Sequence, residues 1–281
     1  MSVFFLTALS LLAFAANSLL CRMALGAELI DPASFTSIRL VSGALLLWPL
    51  ARWSQRGVVA TSHGSWASAT ALFIYALAFS FAYLSLSTGM GALILFGMVQ
   101  MTMLAFALRS GERLRVLQWA GFAGAAAGLV YLVSPGLAAP DPLGAVLMAG
   151  AGIAWGVYSI RGRGEQAPIA MTAGNFMRAV PLTLAVSAAV GVFALQGMYM
   201  TRTGVALALV SGAITSGLGY VVWYRVLPSL RTSEASIVQL LVPVLAALAG
   251  VAVLGEALSG RLLLSSALIL GGVALAVRRS P

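Results

Sequence analysis

Apolar positions gather into ten stretches, at about 3–22, 32–51, 66–86, 90–108, 116–134, 143–161, 169–196, 204–227, 234–254 and 261–277. Each approaches the ~20 residues that a helix needs to cross a hydrocarbon core. The gaps hold residues that stop or start helices: Asp31-Pro32, Ser134-Pro135-Gly136, Asp141-Pro142, Gly162 with Gly164, and Pro228-Ser229. The pattern predicts an all-α integral membrane protein of ten transmembrane helices. No gap exceeds about 15 residues, which leaves no room for an extramembrane domain. The opening stretch, Met1 to Leu20, lacks a basic leader and further spans follow it directly, so it reads as the first helix rather than a cleaved signal.

Composition agrees. The chain is 61% hydrophobic and 8% charged, with a mean hydropathy of +1.01. A water-facing surface needs more charge than that, so lipid is the solvent over most of the chain. All 16 basic residues are arginine, against 7 acidic ones, for a net charge of +9. No basic run exists to hold a nucleic acid. The arginines instead occupy gaps: Arg52, Arg56, Arg109, Arg113, Arg115, Arg161, Arg163, Arg231, Arg278 and Arg279 on one side, with Arg225 at a helix end, against Arg22, Arg202 and Arg261 on the other. The positive-inside bias then puts both termini in the cytoplasm and the protein in the inner membrane. Cys21 and His63 are each the sole residue of their kind, so neither a disulfide nor a metal site is expected, and no cofactor.

A shift of 144 residues brings Leu86, Thr88, Leu104, Ala105, Gly111, Glu112, Leu114, Gly128 and Val133 onto Leu230, Thr232, Leu248, Ala249, Gly255, Glu256, Leu258, Gly272 and Val277. Shared Leu and Ala carry little weight in so apolar a chain; the repeated Gly-Glu pair is informative. Residues 1–134 and 143–281 then form two five-helix units. Five is odd, so the second unit enters the membrane upside down. Inverted repeats around a central cavity are a recurring plan for alternating-access transporters.

On these residues the chain resembles the EamA-type branch of the drug/metabolite transporter superfamily. Pro243, Gly255-Glu256-Ala-Leu-Ser and Gly271-Gly272-Val-Ala-Leu carry the likeness, and Gly111-Glu112-Arg-Leu repeats it. Val99 stands where Pro243 would map, a departure in helix 4. The resemblance implies a ten-helix exporter of amino acids or other small metabolites. The aromatic-rich spans look most like the aromatic amino-acid exporter group.

Several residues are candidates to line a substrate site. Pro243 lacks an N–H, so in a continuous helix 9 the carbonyl of Gln239 loses its partner, beside the Gln239 amide itself. Such groups line a polar cavity or meet another helix, and both readings stand at this point. Tyr75, Phe79 and Tyr83 share a face of helix 3; Trp155 and Tyr158 lie a turn apart in helix 6; Tyr220, Trp223 and Tyr224 belong to helix 8. Helices 3 and 8 are repeat equivalents, and their aromatic faces would suit neutral side chains across a central cavity. An interfacial belt is the plainer account and fits Tyr83 and Tyr224 at helix ends. Asn17 is an intramembrane amide that either serves the cavity or bonds a neighbouring helix.

Arg39 and Arg178 occupy equivalent spans, roughly 10–13 Å from the nearer edge at 1.5 Å per residue. They either snorkel to the interface or act at a gate, with Pro243 as the hinge, or attract a carboxylate. Glu112 and Glu256 stand where helices 5 and 10 open, and a carboxylate complements a helix N-terminus. Gly124-Ala-Ala-Ala-Gly128 and Gly152-Ile-Ala-Trp-Gly156 are close-packing faces.

None of the seven acids lies in mid-span, so the expectation is facilitated export of neutral amino acids without obligatory proton or sodium coupling. The expected partners are that substrate and membrane lipid, with no nucleic acid and the chain acting as a monomer. Export of drugs, organic cations or nucleotide sugars on the same fold ranks second. A lipid-modifying enzyme ranks below it, because no nucleophile, acid–base pair or metal ligands cluster. A channel ranks last, with no charged ring.

Overall fold

The computed structural model describes residues 3–54, 63–109, 116–136, 139–163, 165, 167–193, 198–230 and 238–277. Among them are ten helices: α1 (Val3–Gly26), α2 (Pro32–Ser54), α3 (Trp66–Ala82), α4 (Thr88–Arg109), α5 (Val116–Val133), α6 (Pro142–Arg161), α7 (Pro168–Phe193), α8 (Arg202–Ser229), α9 (Leu241–Leu254) and α10 (Gly260–Val277). The described residues hold no strand, only an isolated bridge between Ile30 and Met200.

Two of the predicted breakers, Asp31 and Asp141, open helices as side-chain caps, and Ser65 and Thr201, which the sequence reading did not single out, do the same. Asp31, Ser65, Asp141 and Thr201 each accept, through the side chain, the backbone N–H three residues on, which satisfies one of the orphan donors at the start of α2, α3, α6 and α8. Gly255 ends α9 in a left-handed conformation, φ +65°, that glycine alone adopts freely.

Among the described residues seven helices are long and apolar enough to cross a membrane; α3, α9 and α10 are apolar but shorter. The largest departure from expectation is in α9. It runs over Leu241–Leu254 rather than 234–254, with Val238 and Gln239 helical, a turn at Leu240, and 231–237 outside the described residues. Pro243 therefore lies in the first turn of α9, not in the middle of a continuous span. That turn is the one place where a missing N–H costs no hydrogen bond.

Large apolar side chains such as Phe4, Leu45, Val116, Val146 and Val192 face outward, as a lipid environment allows. Inside, glycines set the spacing. A Cβ on Gly128 would meet Leu268 and Ile269 at 2.8 and 2.9 Å, bringing α5 against α10; one on Gly152 would meet the Leu95 carbonyl at 2.6 Å, bringing α6 against α4. The helix neighbours include α2 with α7 and α8, α3 with α6 and α7, α4 with α6 and α9, α5 with α10, and α1 with α8 and α9.

One end of the bundle is closed by polar ties. Glu256 accepts the Thr88 N–H at 2.9 Å and its hydroxyl at 3.1 Å, and pairs with Arg22 at 3.6 Å. Its carboxylate thus caps α4, not α10 as the sequence suggested, because α10 starts four residues later at Gly260. Glu112 lies outside the described residues. Arg22 also donates to the carbonyls of Tyr83 and Leu84 at 3.0 Å, and Arg261 to those of Leu132 and Ser134 at the end of α5.

Candidate substrate site

The middle of α8 is not an α-helix. Ser211–Leu218 is a π segment, whose i→i+5 hydrogen bonds widen each turn and place Ser211, Thr215, Ser216 and Tyr220 along one face. The hydroxyls of Ser211, Thr215 and Ser216 all donate to Asn17 Oδ1 of α1, at 2.8, 3.1 and 3.4 Å. Such segments recur at functional sites because they reposition side chains without ending the helix.

Close approach of α2 makes the next contact. A Cβ on Gly212 would lie 2.0 Å from the Arg39 carbonyl, and one on Gly43 2.3 Å from the Phe176 ring. Arg39, 1% exposed, sends its guanidinium into the bundle. Nε donates to Ser216 Oγ at 2.9 Å, and Nη2 to the hydroxyls of Tyr75 and Tyr220 at 3.1 and 3.0 Å. The charge lies 5.2 and 5.1 Å from the ring centres of Tyr75 and Phe79, within reach of cation–π attraction. No carboxylate among the described residues comes within ion-pair distance of it.

Aromatic rings continue from this point towards both ends. Trp155 of α6 packs on Tyr220 at 4.6 Å, Tyr75 at 5.0 Å and Tyr158 at 5.5 Å, and Phe14 of α1 closes on Trp155 and Tyr220 at 5.8 and 5.9 Å. Phe79 and Tyr83 extend the column one way, Tyr158 and Tyr224 the other. The cluster draws on α1, α2, α3, α6 and α8, which gives it hydroxyls, an amide, a cation and apolar faces in one buried region. No group of three or more metal-ligating side chains occurs among the described residues.

Residues 142–278 match the EamA-like transporter family. The uncharacterized protein PA1977 of Pseudomonas aeruginosa is 49% identical over 271 residues, covering 96% of this chain and 92% of its own. The chain carries an EamA-like transporter family domain. A protein of known crystal structure shares the fold at a TM-score of 0.63 and 22% identity, over 96% of this chain and 97% of that one. This EamA-like chain is therefore a multi-pass membrane transporter of small molecules.

Within this transporter the residues singled out from sequence divide. Asn17, Tyr75, Phe79, Trp155 and Tyr220 meet around Arg39. Tyr158 lies one ring further out, where its hydroxyl accepts from Asn175 at 3.4 Å. Tyr83 lies at the closed end, donating to the Thr88 carbonyl at 3.3 Å. Gln239 is buried ahead of α9. The two spanning arginines part company. Arg39 does not snorkel, whereas Arg178 donates to the carbonyls of His63 and Gly174 at 2.8 and 3.0 Å, near a helix end.

Ser211, Thr215, Ser216 and Phe14 escaped the sequence reading. The run Ser-Gly-Ala-Ile-Thr-Ser-Gly from Ser211 to Gly217 is unusually polar for a span and was the available signal for three of them. Phe14 has no signal in an apolar helix.

Proposed function

We propose that this EamA-like protein exports small neutral metabolites, aromatic and other neutral amino acids foremost, by alternating access and without obligatory ion coupling. The observation that carries the reading is the meeting of Asn17, Tyr75, Trp155 and Tyr220, from four helices, in one buried region that combines amide and hydroxyl groups with aromatic faces. Aromatic walls accommodate ring-bearing or aliphatic side chains, and the polar groups orient the backbone end of an amino acid. In the described residues the acids Glu28, Asp31, Asp141, Glu165 and Glu256 all stand at helix ends or in loops, so no carboxylate there is placed to relay a proton in mid-span.

Two inverted five-helix units account for the helix neighbours. Exchanging each helix with the one five places on turns the α3–α6 contact into α8–α1 and α4–α6 into α9–α1, and maps α2–α7, α4–α9 and α5–α10 onto themselves. Arginine bias supports an inner-membrane location with both termini cytoplasmic. In a Cys21→Ser background, His63→Cys would be labelled only from the cytoplasmic side and Glu28→Cys only from outside. The reverse pattern would overturn the orientation.

Counterflow of labelled phenylalanine, leucine and threonine in proteoliposomes tests the function. Uptake should persist with proton and sodium gradients collapsed by ionophores, and fall at least tenfold in Trp155→Ala. Uptake that vanishes with the gradients would remove the uncoupled mechanism; equal uptake by empty vesicles would remove the transport reading.

A further inference from the structure

The region around Arg39 holds more donors than acceptors. A guanidinium carries five N–H groups and never loses its charge. Nε and Nη2 are spent on Ser216, Tyr75 and Tyr220, while Nη1 finds no acceptor among the described residues. The Tyr75 hydroxyl already receives from Arg39, Asn17 and Tyr220. Trp155, whose ring lies on both phenols, also has an indole N–H without an acceptor. A buried cation whose partners are all neutral is costly to keep, since phenols, a serine and ring faces only partly replace water.

We infer that Arg39 anchors the carboxylate of the transported molecule, which makes this a site selective for monocarboxylates with an apolar or aromatic body. This rests on the transport reading above and sharpens it. One oxygen of the carboxylate accepts from Nη1 of Arg39, and its negative charge balances the buried guanidinium. Charge balance sets the class: a single carboxylate group matches the one guanidinium, whereas a phosphate monoester would bring a second negative charge with no further buried cation among the described residues to meet it. An amide or ester carbonyl can accept from Nη1 but brings no charge to balance the guanidinium, and an amine or ammonium brings neither the negative charge nor, when protonated, an acceptor. The apolar body has Trp155, Phe14 and Phe176 to lie against, all within 6.0 Å of the Tyr220 ring centre. Arg178, already bonded to two backbone carbonyls, is not the equivalent anchor.

A purely structural role for Arg39, tying α2 to α3 and α8, predicts no preference between an acid and its amide. The test uses that difference. Full-length protein in detergent is titrated with phenylalanine, leucine and threonine, with their amides, and with 3-phenylpropionate and phenethylamine, reading the ligand-induced rise in unfolding temperature. In wild type at least one acid should bind roughly 100-fold more tightly than its amide, the order of effect of leaving a buried charge unpaired. 3-Phenylpropionate should likewise exceed phenethylamine. Arg39→Lys should weaken the acid, since a point charge lacks the planar fork, and Arg39→Gln should bring the acid-to-amide ratio close to one. Should either variant fail to fold, the wild-type ratio alone decides.

Equal binding of acids and amides to wild type, or no binding of any acid, would overturn the inference. The same compounds in vesicle flux separate the two readings. Acids that bind but never cross would end the transport reading and leave the anchor in place. Acids and amides carried equally well would end the anchor and leave transport in place.

Discussion

The hydroxyls of Tyr75 on α3 and Tyr220 on α8 stand 3.3 Å apart and share Nη2 of Arg39 as a common donor. The pair joins the two halves of the chain at a point where each phenol also packs on Trp155. A phenol is suited to such a position because its oxygen accepts from a cation while its ring fills apolar space.

Removing either oxygen should therefore be felt in stability. Tyr75→Phe and Tyr220→Phe keep the rings but take one acceptor from Arg39, at a cost of about 1–3 kcal/mol each. Because both serve the same nitrogen, the double variant should depart from additivity by ~0.5–3 kcal/mol. Chemical or thermal unfolding of the four proteins in one detergent checks this. Strict additivity would mean that the shared contact is absent.

Glycines should sort by what a methyl group would meet. Gly212→Ala would drive a Cβ to 2.0 Å from the Arg39 carbonyl and 2.1 Å from Ser42 Oγ, both held by α2, so a loss of at least ~1–3 kcal/mol is expected. Gly271→Ala in α10 meets nothing within 4 Å and should be stabilising by about 0.5–1 kcal/mol through the backbone. Unfolding temperatures of the two variants should move in opposite directions. Movement together would refute the close crossing of α2 and α8.

At the closed end, Glu256→Gln removes the charge that caps α4 and pairs with Arg22. The amide still accepts from Thr88 through one oxygen, so the loss should be about 1 kcal/mol or less, while Glu256→Ala should lose ~1–2 kcal/mol. Amide exchange at the start of α4 should rise in the alanine variant. If it rises at the start of α10 instead, the carboxylate caps its own helix.

Much of the fold could be read from residue order because lipid imposes it. Backbone groups in hydrocarbon have to be satisfied within each segment, so long apolar runs become helices, and Asp31, Asp141 and Gly255 mark helix ends through local bonds. α9 resisted that reading because hydropathy does not register where a helix pauses, and a proline such as Pro243 suits a first turn as well as a kink.

The candidate site was legible only in outline. Tyr75, Trp155, Tyr220 and Asn17 stood out as polar or aromatic residues within spans, since such positions are few in an apolar chain. What decided their role was placement across helices. Arg39 and Arg178 are alike in residue type and depth, yet one is turned into a ring of phenols by Gly212 and Gly43, and the other reaches the carbonyl of His63. Sequence alone determined that this is a helical membrane protein, because burial in lipid is a property of each segment by itself. Which polar groups meet, and that a guanidinium is left with an open N–H, depends on the distances between helices 36 to 181 residues apart in the chain, and those only tertiary packing decides.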